Sequence, residues 1–156
     1  MHNYTIRLLT SVDYPSIKNI DEQTQIQYLG QDKWGQLSPS KKKTHLVSRQ
    51  PNYNGFVKSG YSFLIEDATE ILGFIFAYET IPMYGEVYCE YIAIKPSFQG
   101  QGLGRQLYKK LLEVAKKNKI KRVWSLINLD NPNSIKAHEK VGFKLSDRKE
   151  AVFKVD

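Results

Sequence analysis

The stretch Gln99-Gly100-Gln101-Gly102-Leu103-Gly104-Arg105 holds residue types at a spacing that can do chemistry. Glycines at alternate positions let an anion approach the main chain without obstruction from Cβ atoms. A helix starting here would offer unpaired N–H groups and the positive end of its dipole, a seat for phosphate or pyrophosphate. Two familiar phosphate motifs are excluded. A P-loop ends in Gly-Lys-Ser/Thr, which this segment lacks. A dinucleotide fingerprint needs a third glycine where Arg105 stands, and an acid about 20 residues later, where Trp124 lies. The glycines alone leave a phosphate ligand and an empty glycine-eased turn equally open.

Charge adds a second hint. The formal net charge is +7, which suits an anionic partner. Residues 1–61 hold 8 Lys/Arg against 4 Asp/Glu, and residues 95–156 hold 15 against 6. Between Ser62 and Ile94 there is no Lys or Arg, yet Glu66, Asp67, Glu70, Glu79, Glu86 and Glu90 fall there. An acidic middle and a basic end suit two ligands of opposite sign; composition alone favours ordinary surface charge. Cys89 is the lone cysteine and the histidines are scattered, so neither an internal disulfide nor a zinc site is spelled out. Cys89 reads as a small core residue, and His2 and His45 are assigned no role.

Those residues need elements to hold them. The chain has 156 residues, 41% of them apolar, which suits one packed domain over 1–156. No run approaches the roughly 20 apolar residues of a membrane span. Met1-His2-Asn3-Tyr4 lacks the pattern of a secretion signal, so a cytoplasmic location is expected. Tyr4–Leu8 reads as a first strand. Thr10 and Asp13 resemble a capping box, after which Ile17 and Ile20 have helical spacing. Residues 30–60 read as loop, with a short helix near Ser40–Ser48. Tyr61–Ile65 and Ile71–Tyr78 form a hairpin pattern, and Glu86–Ile94 a further strand that Lys95-Pro96 ends. From Gly102 to Asn118 the apolar stripe Leu103, Leu107, Leu111 and Val114 predicts an amphipathic helix with a basic outer face. Val123–Ile127 reads as a strand, Asn133–Lys140 as a helix stopped by Gly142, and Phe143–Lys154 as a final strand pair. The order predicts an α+β domain with a mixed, mostly antiparallel sheet flanked by helices.

The glycine segment, with its lead-in Ile94-Lys95-Pro96, resembles the Gln/Arg-x-x-Gly-x-Gly/Ala signature of the GNAT superfamily of N-acetyltransferases. A second block, Asn131 to Phe143, is similar to that family's cofactor-side helix: Asn131, then His138 seven residues on, then Gly142-Phe143. The opening from Ile6 to Asp13 also looks like the family's usual start. The resemblance spans nearly the whole chain and is specific from Glu86 to Phe143.

The resemblance implies a GNAT-like acyl-CoA N-acyltransferase fold in which acetyl-CoA, the co-substrate, lies where Glu86–Ile94 and Val123–Ile127 splay apart. The main chain at Ile92, Ala93 and Ile94 would pair with the pantetheine arm, and an N–H there would polarise the thioester carbonyl. Gln99, Gly100, Gln101, Gly102, Leu103, Gly104 and Arg105 would cradle the pyrophosphate. Arg105 and Lys109 could add charge near the adenosine phosphates, a reading no stronger than solvated helix charge. Asn131 would bond the pantetheine arm or shape the cleft. Glu90, on the strand leading to the acetyl site, is the first choice for accepting the amine's proton, with Glu86 and Glu79 in reserve. An ordinary strand-surface carboxylate is the plain alternative. His138 stands where many relatives carry the tyrosine that protonates the departing thiolate. Histidine suits that role near neutral pH; a packing histidine is the alternative.

The expected activity is transfer of acetyl from acetyl-CoA to a primary amine, carried by a small molecule or a peptide, by direct attack on the thioester. A non-catalytic acetyl-CoA sensor on the same fold is the first rival. A basic nucleic-acid-binding module is the second, and no recognisable motif accompanies the charge. A homodimer stays open. Acceptor specificity would lie in residues 29–60 and 146–152, with Tyr28, Trp34, Tyr53, Phe56 and Tyr84 as candidate pocket residues or core.

Overall fold

The computed structural model describes residues 3–155. The chain divides into two compact units, one running to Leu126 and one from Ile127 onward.

The first unit is built on five strands: β1 (Thr5–Leu8), β2 (Phe63–Glu66), β3 (Ile71–Glu79), β4 (Glu86–Ile94) and β5 (Arg122–Trp124). They lie in chain order across the sheet. The first three pairings are antiparallel, and β4 pairs with β5 in parallel. A parallel neighbour needs a crossover, supplied here by α5 (Leu103–Lys117). Four helices precede β2: α1 (Tyr14–Leu29), α2 (Gln31–Gln36), α3 (Pro39–His45) and α4 (Asn52–Lys58).

Alternation along β3 sorts the core into two faces. Phe74 and Phe76 join Ile17 and Ile20 of α1 and Tyr53 and Phe56 of α4 in one apolar cluster. Phe56 stacks on Phe76 with ring centroids 4.2 Å apart and planes 4° from parallel, a pairing worth about 1 kcal/mol beyond its buried area. On the other face α5 turns its stripe inward, with Leu103, Leu107 and Leu111 buried. Thr10 opens the turn into α1 as its spacing suggested. Its N–H donates to Asp13 Oδ2 at 2.8 Å, and Arg7 grips the same carboxylate through two bonds.

Residues 30–60 are not a loop. They hold α2, α3 and α4, of which only α3 falls near the short helix expected at Ser40–Ser48. Each helix has six or seven residues, too short for propensity alone to sustain. Trp34 anchors α2 in the interior, and Tyr53 with Phe56 anchor α4. α3 buries no residue, and one or two anchors in the other helices leave no readable period. β5 is also shorter than expected, ending at Trp124.

The second unit contains α6 (Pro132–Val141), started by Asn131 and ended by Gly142 in the left-handed region (φ 103°). The expected strand pair over 143–154 is absent. Its apolar residues Val152 and Phe153 are exposed, and a β-prone sequence becomes a strand only where a neighbour pairs with it.

Candidate active site

The register of β4 against β3 breaks at one residue. Phe76 faces Tyr91 and Ala77 faces Cys89, so Glu90 has no partner across the ladder. It is the extra residue of a β-bulge. A bulge bends its strand and re-aims the extra side chain. Here Glu90 reaches a concave pocket of about 440 Å³, lined also by Val47, Asn52, Gly55, Phe56 and Tyr78. Phe56 therefore belongs both to the core and to the pocket wall.

Glu90 is open to solvent yet sits among protein groups that displace much of the water around it. That loss of water raises its carboxyl above the ordinary glutamate value, while the positive charge of Arg49 draws it back down. The effect is mutual with the neighbouring phenols. Burial and then the Glu90 charge raise Tyr78, and the same two causes push Tyr88 up to about 12.

The remaining carboxylates of the acidic stretch are occupied elsewhere. Glu66 pairs with Arg7 at 2.8 Å, Glu70 with Lys95, and Glu86 with Arg122 at 3.4 Å. Glu79 accepts the Gly85 N–H at 2.8 Å. Asp67 accepts the N–H groups of Thr69 and Glu70, closing the β2–β3 turn. So the stretch is not one acidic surface, and the reserves Glu86 and Glu79 are both engaged.

Beside the bulge the sheet opens. β4 pairs with β5 only from Glu86 to Tyr88, then runs on to Ile94 with no strand on that side among the described residues. Alternate N–H and C=O groups of residues 89–94 therefore face away from β3 without a ladder partner, an edge that an extended ligand can pair with. Ile92, Ala93 and Ile94 lie on this edge. The Ile94 carbonyl accepts from the Gln99 amide at 3.0 Å.

The glycine turn fits a diphosphate on its geometry. No side chain caps α5, and the first intrahelical donor found is the Gln106 N–H, bonded to the Gly102 carbonyl. The N–H groups of Leu103, Gly104 and Arg105 thus have no partner within the helix. Gly100 and Gly102 have φ of 79° and 80°, a region that costs other residues energy. A Cβ at either would meet nothing within 4 Å, so the space before the helix is open. A Cβ at Gly104 would lie 3.7 Å from Ile92 and 3.8 Å from Ile94, which sets the helix start against the open edge of β4.

The side chains of the turn divide their work. Gln99 exchanges amide bonds with Gln27 of α1 at 2.9 and 3.0 Å, so it braces the turn. Leu103 is core, leaving only its main chain for a ligand, whereas Gln101 and Arg105 are exposed. Cys89 is buried, its thiol pushed up to about 12 by that burial, as a core cysteine should be.

In the second unit, Asn131 Oδ1 accepts the Ser134 N–H at 3.1 Å. That oxygen caps α6, and the amide NH2 is what Asn131 has left to give. His138 is buried, its ring edge-on to Phe143. Its Nδ1 lies 2.7 Å from the Ser134 carbonyl oxygen. A carbonyl only accepts, so Nδ1 carries the hydrogen of that bond.

Residues 26–143 match the acetyltransferase (GNAT) family. The chain belongs to that family. Its activity is therefore that of an acyltransferase, with acetyl-CoA as co-substrate. Solved structures of similar fold include the ribosomal-protein-S18-alanine N-acetyltransferase of Escherichia coli, at 21% identity and TM-score 0.67, covering 93% of this chain and 80% of that one. The PaiA N-acetyltransferase of Thermoplasma acidophilum, solved with coenzyme A, has 14% identity and TM-score 0.78 over 94% and 93%. An aminoglycoside N-acetyltransferase solved with CoA has 18% identity and TM-score 0.70 over 99% and 96%. No curated protein matches the chain.

Among the aromatic pocket candidates of this GNAT protein, Phe56 alone lines the cavity. Tyr53 and Trp34 are core, and Tyr28 and Tyr84 are exposed. Val47, Asn52, Gly55 and Tyr78 went unrecognised as pocket residues, as did Arg49 beside them. They come from the α3–α4 connection, from α4 and from β3, and nothing in their spacing marks them as neighbours.

Proposed function

We propose that this acetyltransferase moves acetyl from acetyl-CoA to a primary amine bound in the Glu90 pocket, by direct attack on the thioester. One observation carries the reading. The residue bulged out of β4 is a carboxylate with raised basicity, and the strand's edge loses its partner at that same point. Glu90 accepts the proton that the incoming ammonium must lose, directly or through water. The main chain from Ile92 through Ala93 to Ile94 pairs with the pantetheine arm, and an outward N–H, at Ile92 or Ile94, donates toward the oxygen on which charge builds. Main-chain amides from Gly100 to Arg105 hold the diphosphate, with the Arg105 charge beside them.

His138 Nε2 is the proposed proton donor to the departing thiolate, and the Asn131 amide a proposed partner of the pantetheine arm. Among the described residues no helix is long and apolar enough to cross a membrane. A cytoplasmic location is part of the same proposal.

The test is CoA release from acetyl-CoA across a panel of amines. Wild type should turn over, which a sensor would not. Glu90→Gln should lose about 10²–10⁴-fold in kcat, the range general-base catalysis supplies, with little change in acetyl-CoA affinity. His138→Phe should lower kcat as well. Binding of acetyl-CoA with no turnover of any amine would favour the sensor instead.

A further inference from the structure

The proposed site leaves the acceptor's chemistry open, and the charges around the pocket narrow it. Glu90 is the one carboxylate among the residues lining the cavity. Its neighbours in the acidic stretch are spent on Arg7, Lys95, Arg122 or main-chain N–H groups. A polycation entering here would find one negative charge for its first amine and none for its second.

A cation also stands close enough for its charge to reach Glu90. Arg49 lies in the connection between α3 and α4, flanked by the pocket residues Val47 and Asn52. Its Nη1 donates to the carbonyls of Thr44 at 3.0 Å and Leu46 at 2.9 Å. Two such anchors hold a half-buried guanidinium in place. Nε and Nη2 make no hydrogen bond, and the group joins no ion pair, among the described residues. Its charge is felt at Glu90. A fixed guanidinium with donors to spare is suited to a carboxylate, which it can hold through two parallel bonds. The wall that Glu90 shares is aromatic, with Phe56 and Tyr78, and the cavity falls within the roughly 300–1,000 Å³ typical of small-molecule sites.

We infer that the acceptor is a small amino-carboxylate with an apolar or aromatic body: its amine against Glu90, its carboxylate on Arg49, its body along Phe56 and Tyr78. The inference rests on the acetyltransferase reading above. Polyamines and simple alkylamines would be poor acceptors, since each leaves the guanidinium without its anion.

The experiment compares amino acids with their decarboxylated amines: phenylalanine with phenethylamine, tyrosine with tyramine, leucine with isopentylamine. Spermidine serves as the polycation. CoA release is followed for wild type, Arg49→Gln and Arg49→Lys, with thermal melts and acetyl-CoA binding confirming that each variant folds. We expect wild type to prefer the amino acid in at least one pair by tenfold or more in kcat/KM. At a pH above the acid limb of both proteins, Arg49→Gln should then raise KM for that amino acid about 10–100-fold, as loss of a charge-assisted bond would, and change KM for its decarboxylated partner far less. Arg49→Lys should recover part of the loss.

Turnover that favours spermidine or the decarboxylated amines overturns the inference and leaves the acetyltransferase reading standing. So does an Arg49→Gln variant that raises both KM values equally. Acetyl-CoA binding with no turnover of any of these compounds overturns the inference and counts against catalysis at the Glu90 pocket.

Discussion

Glu90 owes its basicity to its position. On a regular strand it would project into bulk water and titrate as an ordinary glutamate; at the bulge, protein replaces part of that water. Burial disfavours the charged form, so the proton leaves at a higher pH than the usual value near 4.3. A base must be ionised to act. The acid limb of kcat/KM should therefore fall above the ordinary glutamate range, with activity rising as pH rises through it. Arg49 opposes the burial effect, so Arg49→Gln should move that limb to still higher pH. The phenols facing Glu90, Tyr78 and Tyr88, are themselves pushed upward, which keeps them protonated across this window. A pH–rate series on wild type, Arg49→Gln and Glu90→Gln checks the assignment. A limb that persists unchanged in Glu90→Gln would belong to another group.

The β3–β4 pair is the element that places both halves of the proposed site, and it tolerates little change where the strands approach most closely. Gly73 faces Ile94. A Cβ there would lie 2.7 Å from the Ala93 carbonyl oxygen and collide with Ile94 Cδ1. A carbonyl in the ladder cannot swing aside, so the strand would have to shift. Gly73→Ala should cost about 1–3 kcal/mol, the usual range for overpacking, and lower Tm by several degrees. It should also raise KM for acetyl-CoA, because Ala93 and Ile94 lie on the open edge. Gly104→Ala is the control. Its added methyl would find Ile92 and Ile94 at ordinary contact distance, so its melting curve should stay near wild type. Equal melts for the two variants would mean that β3 and β4 are not clamped at Gly73.

Across the first unit, buried charge is held by partners far off in the chain. Arg7 of β1 bonds Asp13 ahead of α1 and Glu66 at the end of β2, so one guanidinium ties three segments together. It is the largest cause of an Asp13 carboxyl held below the usual range, with bonds from Thr10 adding to the effect. Because the folded value is the lower one, this stabilisation is present above the unfolded value near 3.9 and is lost as pH falls through the folded value. Thermal melts from pH 7 to pH 3 should show Tm falling at the acid end. Arg7→Met should be less stable at pH 7 by about 1–3 kcal/mol, since a buried carboxylate loses charged hydrogen bonds. The gap from wild type should narrow toward pH 3. A gap independent of pH would indicate lost packing in place of lost charge pairing.

The run from Glu86 through Lys117 is legible in the sequence alone, and for a local reason. Strand, proline stop, glycine turn and amphipathic helix each depend on neighbours within a few residues, so their periods and punctuation survive in one dimension. The main-chain donors proposed to hold the diphosphate are similarly a property of consecutive residues. Other features needed the folded chain. The bulge that selects Glu90 is a register relation between β3 and β4. The neutralised acids find Arg7, Lys95 and Arg122 at separations of 59, 25 and 36 residues. The helices over 31–58 bury at most two residues each, so residues 30–60 read as loop, and the strands expected over 143–154 had no partner to make them. Pairing and burial are set by what lies across space, and spacing along the chain records only what lies next along it.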